Sequence, residues 1–459
     1  MDPVSCILTS GVTTRLHLDP IIVVVYQHAP YNDPMTFDSL SPDDLLSHER
    51  QLSTEFEQLK ATGLQLDLTR GKPSPEQLSL SDELDATCDG QYVVDDGTDV
   101  RNYGGLFGIR EARRLGGELL GVHEDLVIAG GNASLTLMYQ YLSNALVYGP
   151  LGQGTAWQDE GNPVRFLCVV PGYDRHFTIT ESLGFEMVNV RMQETGPDMD
   201  AVERHVREDP LIKGIWCVPK YQNPTGYTFS EDVVHRFAEL GKIAGPHFRI
   251  MWDNAYVVHT LHGQGDSLAN LMDACQQAGT ADSVVILGST SKITRAGSGI
   301  AFLACSSANL SHFKQRLAVQ TIGPDKVNQL RHVRFLRDHQ GIDAHMQRHA
   351  EIVRPKFEAV LEHLAGGLDG IATWTQPNGG YFISVEVPRG TAATVVQLAG
   401  EVGVKLTPAG STFPYGKDPD DSNIRLAPTY PTLEEIHQAM PVFVTAAKLA
   451  FARQCRERS

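Results

Sequence analysis

Short apolar runs separated by glycine, proline and polar residues are the main pattern of this chain. Five of these runs have the length of one strand and cover residues 126–129, 166–170, 214–218, 248–252 and 283–287. An apolar run of about four to eight residues between turn signals is typical of a buried strand. From residue 126 to about residue 300 the runs alternate with helical patterns, which predicts a mostly parallel sheet with crossover helices.

Helical signals are clear at both ends of the patterned region. Ser41 before Pro42 is typical of a helix start, and apolar residues follow at helical spacing at Leu45, Leu52, Phe56 and Leu59. Residues 132–148 also predict a helix, with an apolar face made by Leu135, Met138, Leu142 and Leu146. Near the end of the chain, Thr432 and Glu435 have the spacing of a capping box and predict another helix start.

The alternation of strand and helix patterns ends at about residue 300. Residues 310–365 are mostly helical in pattern, and residues 380–440 hold short strand patterns at 382–387, 403–406 and 423–426. We predict an α/β fold with a mixed, mostly parallel sheet plus a smaller α+β domain. The expected domains are an N-terminal arm with part of the small domain (35–85), a large domain (86–330) and a small C-terminal domain (331–459).

Residues 1–34 differ from the rest because they lack a clear amphipathic period. We interpret them as a disordered extension or as the result of a start codon placed too far upstream. A chain that begins at Met35 is expected to fold and to be active.

Charge and composition exclude several classes of function. The net charge of −17 at pH 7 leaves no basic stripe for nucleic acid. No apolar run approaches the length of a membrane span. The seven cysteines contain no C-x-x-C pair, so we predict no metal site; Cys168 and Cys217 fall inside predicted strands and favour a reducing, cytoplasmic compartment.

A lysine stands at the end of the last predicted strand, in Ser289-Thr290-Ser291-Lys292. Lysine is usually a solvated surface residue, and a lysine at the edge of a loop is the ordinary alternative here. A lysine between a buried strand and a glycine-rich turn can be partly desolvated, which favours the neutral amine that attacks carbonyl carbon.

Two further strand ends carry groups that suit a phosphate-bearing carbonyl cofactor. Asp253 follows a buried run and needs a cationic or hydrogen-bonding partner, such as a protonated pyridine nitrogen; capping of the next helix is the alternative. The predicted helix start at Gly131, Asn132 and Ala133 offers free N–H groups to a phosphate, although an ordinary helix start gives the same pattern.

Three segments in this order carry a family resemblance: Asn223-Pro224-Thr225-Gly226, Asp253-Asn254-Ala255-Tyr256 and Ser289-Thr290-Ser291-Lys292. The chain resembles a fold-type I aminotransferase that depends on pyridoxal 5′-phosphate (PLP), of the aspartate aminotransferase class. The similarity covers roughly residues 40–445. Within that class it looks most like a divergent actinobacterial branch described as alanine–glyoxylate or regulator-like aminotransferases.

The resemblance implies a set of cofactor contacts. Lys292 would form the Schiff base and move the proton, and Asp253 would keep the ring nitrogen protonated. Tyr173 would stack on the ring, whereas Asn223 and Tyr256 would hold its hydroxyl oxygen. The residues implied at the phosphate are Gly131, Asn132, Ala133, Ser289, Ser291, Arg295 and, from the neighbouring subunit of a homodimer, Tyr103.

The resemblance also implies substrate contacts. Arg425 would bind the α-carboxylate, for which a planar guanidinium is well suited, with Asn223 beside it and Gly71 closing over the substrate. This chain departs from the family pattern at one position. The residue eight places after Lys292 is Ile300 rather than the usual phosphate-binding arginine. Arg295 is the nearest cation, and we expect it to take that role.

Two other classes of protein, serine β-lactamases and non-catalytic sensor domains, fit the sequence less well. Ser289-x-x-Lys292 has the spacing of the serine–lysine pair of β-lactamases, but K-T-G and S-D-N elements are missing. A non-catalytic sensor domain would need a DNA-binding segment.

For the substrate we expect aspartate or glutamate with 2-oxoglutarate; alanine–glyoxylate, aromatic and kynurenine-type substrates are alternatives. The cations expected near a distal carboxylate are Arg295, Arg175, Arg101 and Lys220.

Overall fold

The computed structural model describes residues 40–69, 71–161 and 163–458. The helices are α1 Pro42–Lys60, α2 Pro75–Ser79, α3 Arg110–Leu120, α4 Ser134–Tyr148, α5 Trp157–Glu160, α6 Asp174–Ser182, α7 Met199–Glu208, α8 Glu231–Ile243, α9 Leu271–Ala278, α10 Ser307–Gln320, α11 Lys326–Leu336, α12 His339–Leu368, α13 Ala392–Val402 and α14 Leu433–Arg458. The strands are β1 Leu66–Asp67, β2 Val127–Ala129, β3 Arg165–Val170, β4 Glu186–Gln193, β5 Gly196–Pro197, β6 Ile212–Cys217, β7 Arg249–Asp253, β8 Val284–Ser289, β9 Ala301–Cys305, β10 Thr373–Trp374, β11 Ile383–Glu386, β12 Val404–Lys405 and β13 Asn423–Leu426.

An eight-stranded sheet in the order β2-β9-β8-β7-β6-β3-β4-β5 forms the centre of the fold. The five strands from β8 to β4 run parallel to one another, whereas β9 is antiparallel to both β8 and β2, and β5 is antiparallel to β4. The predicted mixed, mostly parallel sheet is therefore confirmed. The strand β9, which the sequence patterns did not predict, inserts between β2 and β8.

Both faces of this sheet are buried. In β7, Ile250 and Trp252 pack into one apolar cluster while Met251 packs into the other. Neighbouring residues of β8 divide in the same way, with Val284 and Ile286 on one face and Val285 and Leu287 on the other. Continuous apolar runs arise in parallel sheets because helices cover both faces, so these strands show no apolar–polar alternation in the sequence.

The helix starts inferred from the sequence are present. Ser41 caps α1 through its hydroxyl, and all four apolar positions predicted on that helix are buried. The capping box is complete as well: the N–H of Thr432 donates to Glu435 Oε2 at 2.7 Å, and the N–H of Glu435 donates to Thr432 Oγ1 at 3.2 Å. Both signals depend only on residues within one turn, which is why the sequence revealed them.

The apolar face predicted for α4 was partly wrong. Met138 and Leu142 are buried as expected, but Leu135 and Leu146 are only half-buried. The other fully buried apolar residues of this helix are Leu137, Tyr141 and Ala145. The helix packs against α5, α10, β8 and β9. These contacts bury residues that lie outside the single apolar face predicted from the periodicity.

Two smaller sheets lie outside the central one. The strands β10, β11 and β13 form an antiparallel sheet, and β1 pairs in parallel with β12 through the register Leu66–Val404. The segment around β1 thereby joins the C-terminal part of the chain. All described residues belong to one unit, Thr36–Ser459, and the boundaries at 86 and 331 stay predictions; the expectations for residues 1–34 and for a start at Met35 lie outside the described residues.

Two negative findings apply to the described part of the chain. Its helices include none that is both long and apolar enough to cross a membrane. It also contains no group of three or more histidine, cysteine or acidic side chains placed to hold a metal ion.

Candidate active site

Most of the sequence-predicted residues converge at one edge of the central sheet. Asp253 is the last residue of β7 and Ser289 is the last residue of β8. The loops after β3 and β6 bring Tyr173 and Asn223 to the same edge, because these strands run parallel to β7 and β8. Ligands of open α/β sheets bind at this edge, outside the carboxyl ends of the strands.

Lys292 lies in the turn between β8 and β9 and is partly buried. Its Nζ is 4.9 Å from the centroid of the Tyr256 ring. Burial lowers the pKa of Lys292 below its ordinary value, while the negative charge of Asp253 opposes that shift. A lowered pKa increases the fraction of neutral amine at a given pH, and the neutral amine is the nucleophile.

Asp253 is buried, and its two oxygens have different surroundings. His176 Nε2 lies 3.1 Å from Oδ2, and the His176 ring stacks on Trp216 with 4.2 Å between ring centroids. The other oxygen, Oδ1, is buried and has no hydrogen-bond partner among the described residues. A buried carboxylate oxygen without a partner is costly, so the site is suited to a ligand that presents an N–H donor at this point.

His176 is a site residue that the sequence reasoning did not select. It lies on α6, three positions after Tyr173, within the run Pro171-Gly172-Tyr173-Asp174-Arg175-His176 at the end of β3. A histidine near a strand end was visible in the sequence. Its contact with Asp253 was not, because 77 residues separate the two.

Two tyrosines border the space above Asp253. Tyr173 is partly buried and makes an edge contact with His176, and Tyr256 is almost fully buried. Burial raises the pKa of both hydroxyls, and the charge of Asp253 adds to the effect. Both therefore remain protonated donors at neutral pH. Within the described residues the Tyr256 hydroxyl has no hydrogen-bond partner.

Arg425 meets Asn223 at the substrate side of this space. Its Nη1 lies 3.2 Å from Asn223 Oδ1, its Cζ is 4.8 Å from the centre of the Phe382 ring, and its Nε is buried without a partner. The same Phe382 ring packs against Gly71, where a methyl group would come within 2.3 Å of the ring carbon Cζ. Gly71 and Arg425 thus both lie against the Phe382 ring.

The start of α4 lies against the turn between β8 and β9 that carries Lys292, which we call the lysine turn. Ser291 Oγ donates to the carbonyl of Asn132 at 3.0 Å, and Asn132 Nδ2 donates to the carbonyl of Gly297 at 3.2 Å. Ser289 Oγ accepts a bond from the Ser291 N–H. The helix has no side-chain cap at Ala133, and in the described structure the N–H groups of Gly131, Asn132 and Ala133 have no partner. Such free N–H groups at a helix start suit a phosphate.

Ile300 is the position at which this chain lacks the family's phosphate-binding arginine. Ile300 is fully buried in the core and donates its N–H to Thr290 Oγ1. Gly299 packs against the lysine turn, and a methyl group there would lie 2.9 Å from the Ser291 N–H nitrogen. Neither position has room for an arginine side chain.

Arg295, the cation expected to replace that arginine, points toward the segment between α2 and α3. Its Nη1 donates to Asp85 Oδ2 at 2.8 Å, and its Nη2 donates to the carbonyl of Ser81 at 2.9 Å. In this arrangement its charge is already neutralised by Asp85. A phosphate role for Arg295 stays a prediction and would require this ion pair to open.

These observations allow a test of whether PLP fits the site. The unpartnered Asp253 oxygen matches a protonated ring nitrogen, and the free N–H groups at α4 match a phosphate. Lys292 lies near Tyr256 and is close enough to Asp253 for that charge to affect its pKa. Tyr173 and Tyr256 supply hydroxyl and ring surface on the remaining sides. The residues present therefore fit the cofactor.

A buried polar cluster behind Lys292, made by His259, His345, His349, Tyr381 and Gln77, was not foreseen. His259 Nε2 and the Tyr381 hydroxyl approach the Lys292 carbonyl at 3.3 and 3.4 Å, and His345 Nε2 lies 2.8 Å from the next carbonyl, that of Ile293. Gln77 on α2 donates to Tyr381 and contacts His349. The cluster holds the backbone of the turn that carries Lys292 through the carbonyls of Lys292 and Ile293.

Burial keeps several of these histidines neutral and predicts acid-dependent stability. It lowers the pKa of His259 and of His349 to about 3, and the pKa of the nearby His332 to about 4, from about 6.5. Below pH 6.5 the unfolded chain binds protons that the folded chain does not, so the free energy of unfolding should decrease as pH falls from 6.5 toward 4. The expected slope approaches about 1.4 kcal/mol per pH unit for each histidine.

Urea titrations between pH 7 and pH 5 measure this slope before most carboxylates titrate. His332→Gln should reduce this slope by up to about 1.4 kcal/mol per pH unit, because the variant loses one group that is protonated only in the unfolded chain. Equal slopes in the variant and the wild type would contradict the neutral buried His332.

The remaining candidate cations lie in different environments. Arg101 is paired with Asp99 on the surface at 2.6 Å, and Arg295 is paired with Asp85 as described. Lys220 is partly buried, and its Nζ lies 5.3 Å from the Tyr221 ring. Arg175 is exposed on the first turn of α6, directly after Asp174. Neither Lys220 nor Arg175 forms an ion pair with another described residue.

Tyr103 lies apart from the other site residues and is 85 % exposed. Its loop is fixed by Lys326, whose Nζ donates to the carbonyls of Asn102 and Gly104 at 2.8 and 2.7 Å. Gly323 packs against Gly104. Ile322, the neighbour of Gly323 in the chain, is also exposed, as is Val319 near the end of α10.

Comparisons with known proteins agree with the geometry. The family model described as "Aspartate amino-transferase" matches residues 40–458. A protein named aspartate aminotransferase from Corynebacterium glutamicum is 46% identical over 410 residues, which are 89% of this chain and 94% of that protein. A crystal structure of an aspartate transaminase from Corynebacterium glutamicum has a TM-score of 0.89 and 43% identity, and covers 92% of this chain and 100% of its own. The α-aminoadipate aminotransferase LysN of Thermus thermophilus, at 21% identity, 90% and 100% coverage and a TM-score of 0.70, shares the fold.

Proposed function

Because the chain belongs to the aspartate amino-transferase family and is a PLP-dependent aminotransferase, we propose that it moves the amino group between aspartate or glutamate and a 2-oxo acid, with 2-oxoglutarate as acceptor. The observation that carries the chemistry is the placement of the buried Asp253 at the end of β7 beside the partly buried Lys292, which lies in the turn after the neighbouring strand β8. The similarity to proteins named aspartate aminotransferase, over about nine-tenths of the chain, supports the dicarboxylic substrate.

When bound, PLP supplies an electrophilic carbon and an electron-withdrawing ring. Lys292 is suited to attach the cofactor and then to carry a proton, because its amine is partly desolvated and its turn is held in place. Asp253 is suited to stabilise a positive charge on the ring nitrogen, since His176 holds one of its oxygens and leaves the other free. The Asn223 and Tyr256 side chains supply donors for the ring oxygen.

Substrate recognition is assigned to the space beside Arg425, near the Phe382 ring against which Gly71 also packs. The guanidinium of Arg425 is buried and has donors to spare, since its Nε has no partner. Asn223 orients it from one side and the Phe382 ring supports it from another. A carboxylate that enters this space would form the paired, charge-assisted bonds that a guanidinium favours.

For the distal carboxylate we propose Arg175. Of the four expected cations, Arg101 and Arg295 are neutralised by aspartates. Arg175 and Lys220 form no ion pair with another described residue, and Arg175 lies on the first turn of α6, two positions after Tyr173. A cation in the first turn of a helix opposes the helix dipole, so helix stability does not explain an arginine at this position.

Half-reaction kinetics with aspartate, glutamate, alanine, phenylalanine and kynurenine test the substrate class. We expect kcat/KM for the two acidic amino acids to exceed the others by at least about 100-fold, because an unpaired guanidinium is costly when an apolar side chain covers it. Arg175→Gln should remove most of that preference, and Arg101→Gln is the matched control. A higher kcat/KM for alanine or an aromatic amino acid would contradict the dicarboxylate assignment and leave the aminotransferase chemistry intact.

We also propose a homodimer in which Tyr103 reaches the partner's cofactor phosphate. The exposure of Tyr103, Val319 and Ile322 supports this, since symmetric dimers commonly bury such apolar surfaces. Light scattering at assay concentration should give the mass of two chains, and Ile322→Asp with Val319→Asp should shift it toward one chain and lower activity. An active monomer would contradict the shared site.

A cytoplasmic location is part of the same proposal. Cys168 and Cys217 are buried without disulfide partners, and burial raises the pKa of both thiols. Such unreactive core thiols are in keeping with a reducing compartment.

A further inference from the structure

Asp174 is an acidic residue placed where the proposed substrate carboxylate should bind. It is the first residue of α6, directly after Tyr173. Its Oδ1 lies 3.4 Å from Arg425 Nη1, and its side chain is 34% exposed while that of Arg425 is 7% exposed. The only other hydrogen-bond partner of the guanidinium in the described structure is the neutral Asn223.

The position of this carboxylate within the site is supported by a second effect. The charges of Asp253 and Asp174 both add to burial in raising the pKa of Tyr173. An acid in the first turn of a helix is favourable in itself, but that does not require its side chain to face an arginine on β13. Its helix neighbour Arg175 is exposed and does not share this contact.

We propose that Asp174 is the internal counter-ion of Arg425: it neutralises the buried guanidinium in the free enzyme and competes with the carboxylate of the substrate. This inference rests on the proposed role of Arg425. A buried guanidinium with one neutral partner would be costly in the free enzyme, and Asp174 removes part of that cost. When a substrate arrives, its carboxylate must displace Asp174 or bind beside its negative charge, and both routes weaken binding.

Every ligand that places a carboxylate on Arg425 meets this competition. Asp174 would therefore weaken the binding of ligands with one carboxylate and with two carboxylates alike. The preference between the two classes is left to the second contact, because specificity is a difference between binding free energies.

The test uses the holoenzyme and maleate, a dicarboxylate without an amino group, with its dissociation constant measured by calorimetry. Asp174→Asn should lower the Kd of maleate by about three- to tenfold, and a tenfold change corresponds to about 1.4 kcal/mol. The KM for aspartate should fall with it, while the free enzyme should unfold at a lower temperature. Asp174→Glu should keep Kd within about twofold of the wild type, and Glu181→Gln, exposed on the same helix, should change neither quantity.

Arg425→Gln separates this inference from the proposed function. If Arg425→Gln weakens maleate binding at least tenfold while Asp174→Asn leaves it unchanged or weaker, the counter-ion role is wrong and the role of Arg425 stands. If Arg425→Gln does not weaken binding, the carboxylate site is elsewhere and the inference is wrong with it. A loss of thermal stability in Asp174→Asn without tighter binding would show a structural role only and would also overturn the proposal.

Discussion

Replacing Lys292 by alanine is expected to lower kcat by at least about 10³-fold, because the variant loses both the amine that attaches the cofactor and the group that moves the proton. The position of this amine is well defined: it lies 4.9 Å from the Tyr256 ring, in a turn whose carbonyls are held by His259 and His345. Its lowered pKa makes it more reactive than a surface lysine at the same pH.

Borohydride reduction followed by peptide mapping provides the direct readout. In the wild type the reduced pyridoxyl group should be found on Lys292, and in Lys292→Ala it should be absent. Lys314→Ala is a matched control, since Lys314 is a partly buried lysine over the Phe107 ring. Recovery of the pyridoxyl group on another lysine of the wild type, such as Lys220 or Lys326, would show that the attachment site is wrong.

Replacing Asp253 by alanine is expected to lower kcat/KM by at least about 10³-fold, an effect of about 4 kcal/mol on the transition state. The buried Oδ1 of Asp253 has no partner in the part of the chain that the structure describes, and a protonated ring nitrogen is the partner that PLP would provide. Without this carboxylate the ring is a weaker electron acceptor.

The same variant should still attach PLP at Lys292. Its attachment would show that the lost activity comes from the missing charge beside the ring nitrogen and not from failure to bind the cofactor. Borohydride should therefore fix the pyridoxyl group in Asp253→Ala nearly as well as in the wild type. Asp209→Asn serves as the control, because Asp209 is bonded to Arg165 at the start of β3, at the opposite edge of the sheet. An Asp253→Ala enzyme within tenfold of wild-type kcat/KM would contradict the role of this carboxylate.

Several elements were determined by local sequence alone. The four buried residues of α1 and the capping box of α14 were predicted because each depends on residues within one or two turns. The strands β3, β6, β7 and β8 were recognised to within about two residues because buried parallel strands are continuous apolar runs. Their ends carried Tyr173, Asn223, Asp253 and Lys292, so most of the candidate site followed from the order of motifs along the chain.

Tertiary structure decided which partners these residues have. Periodicity did not reveal that Arg295 pairs with Asp85, that Asp174 faces Arg425, or that histidines from α12 support the lysine turn. The insertion of β9 between β2 and β8 and the turn of α4 away from its predicted face were also missed. Helix and strand periods act over a few residues, whereas charge pairing and packing select among groups up to several hundred positions apart. The types and order of the reactive groups were therefore encoded locally, and the neighbours that set their charge and orientation appeared only when the chain was folded.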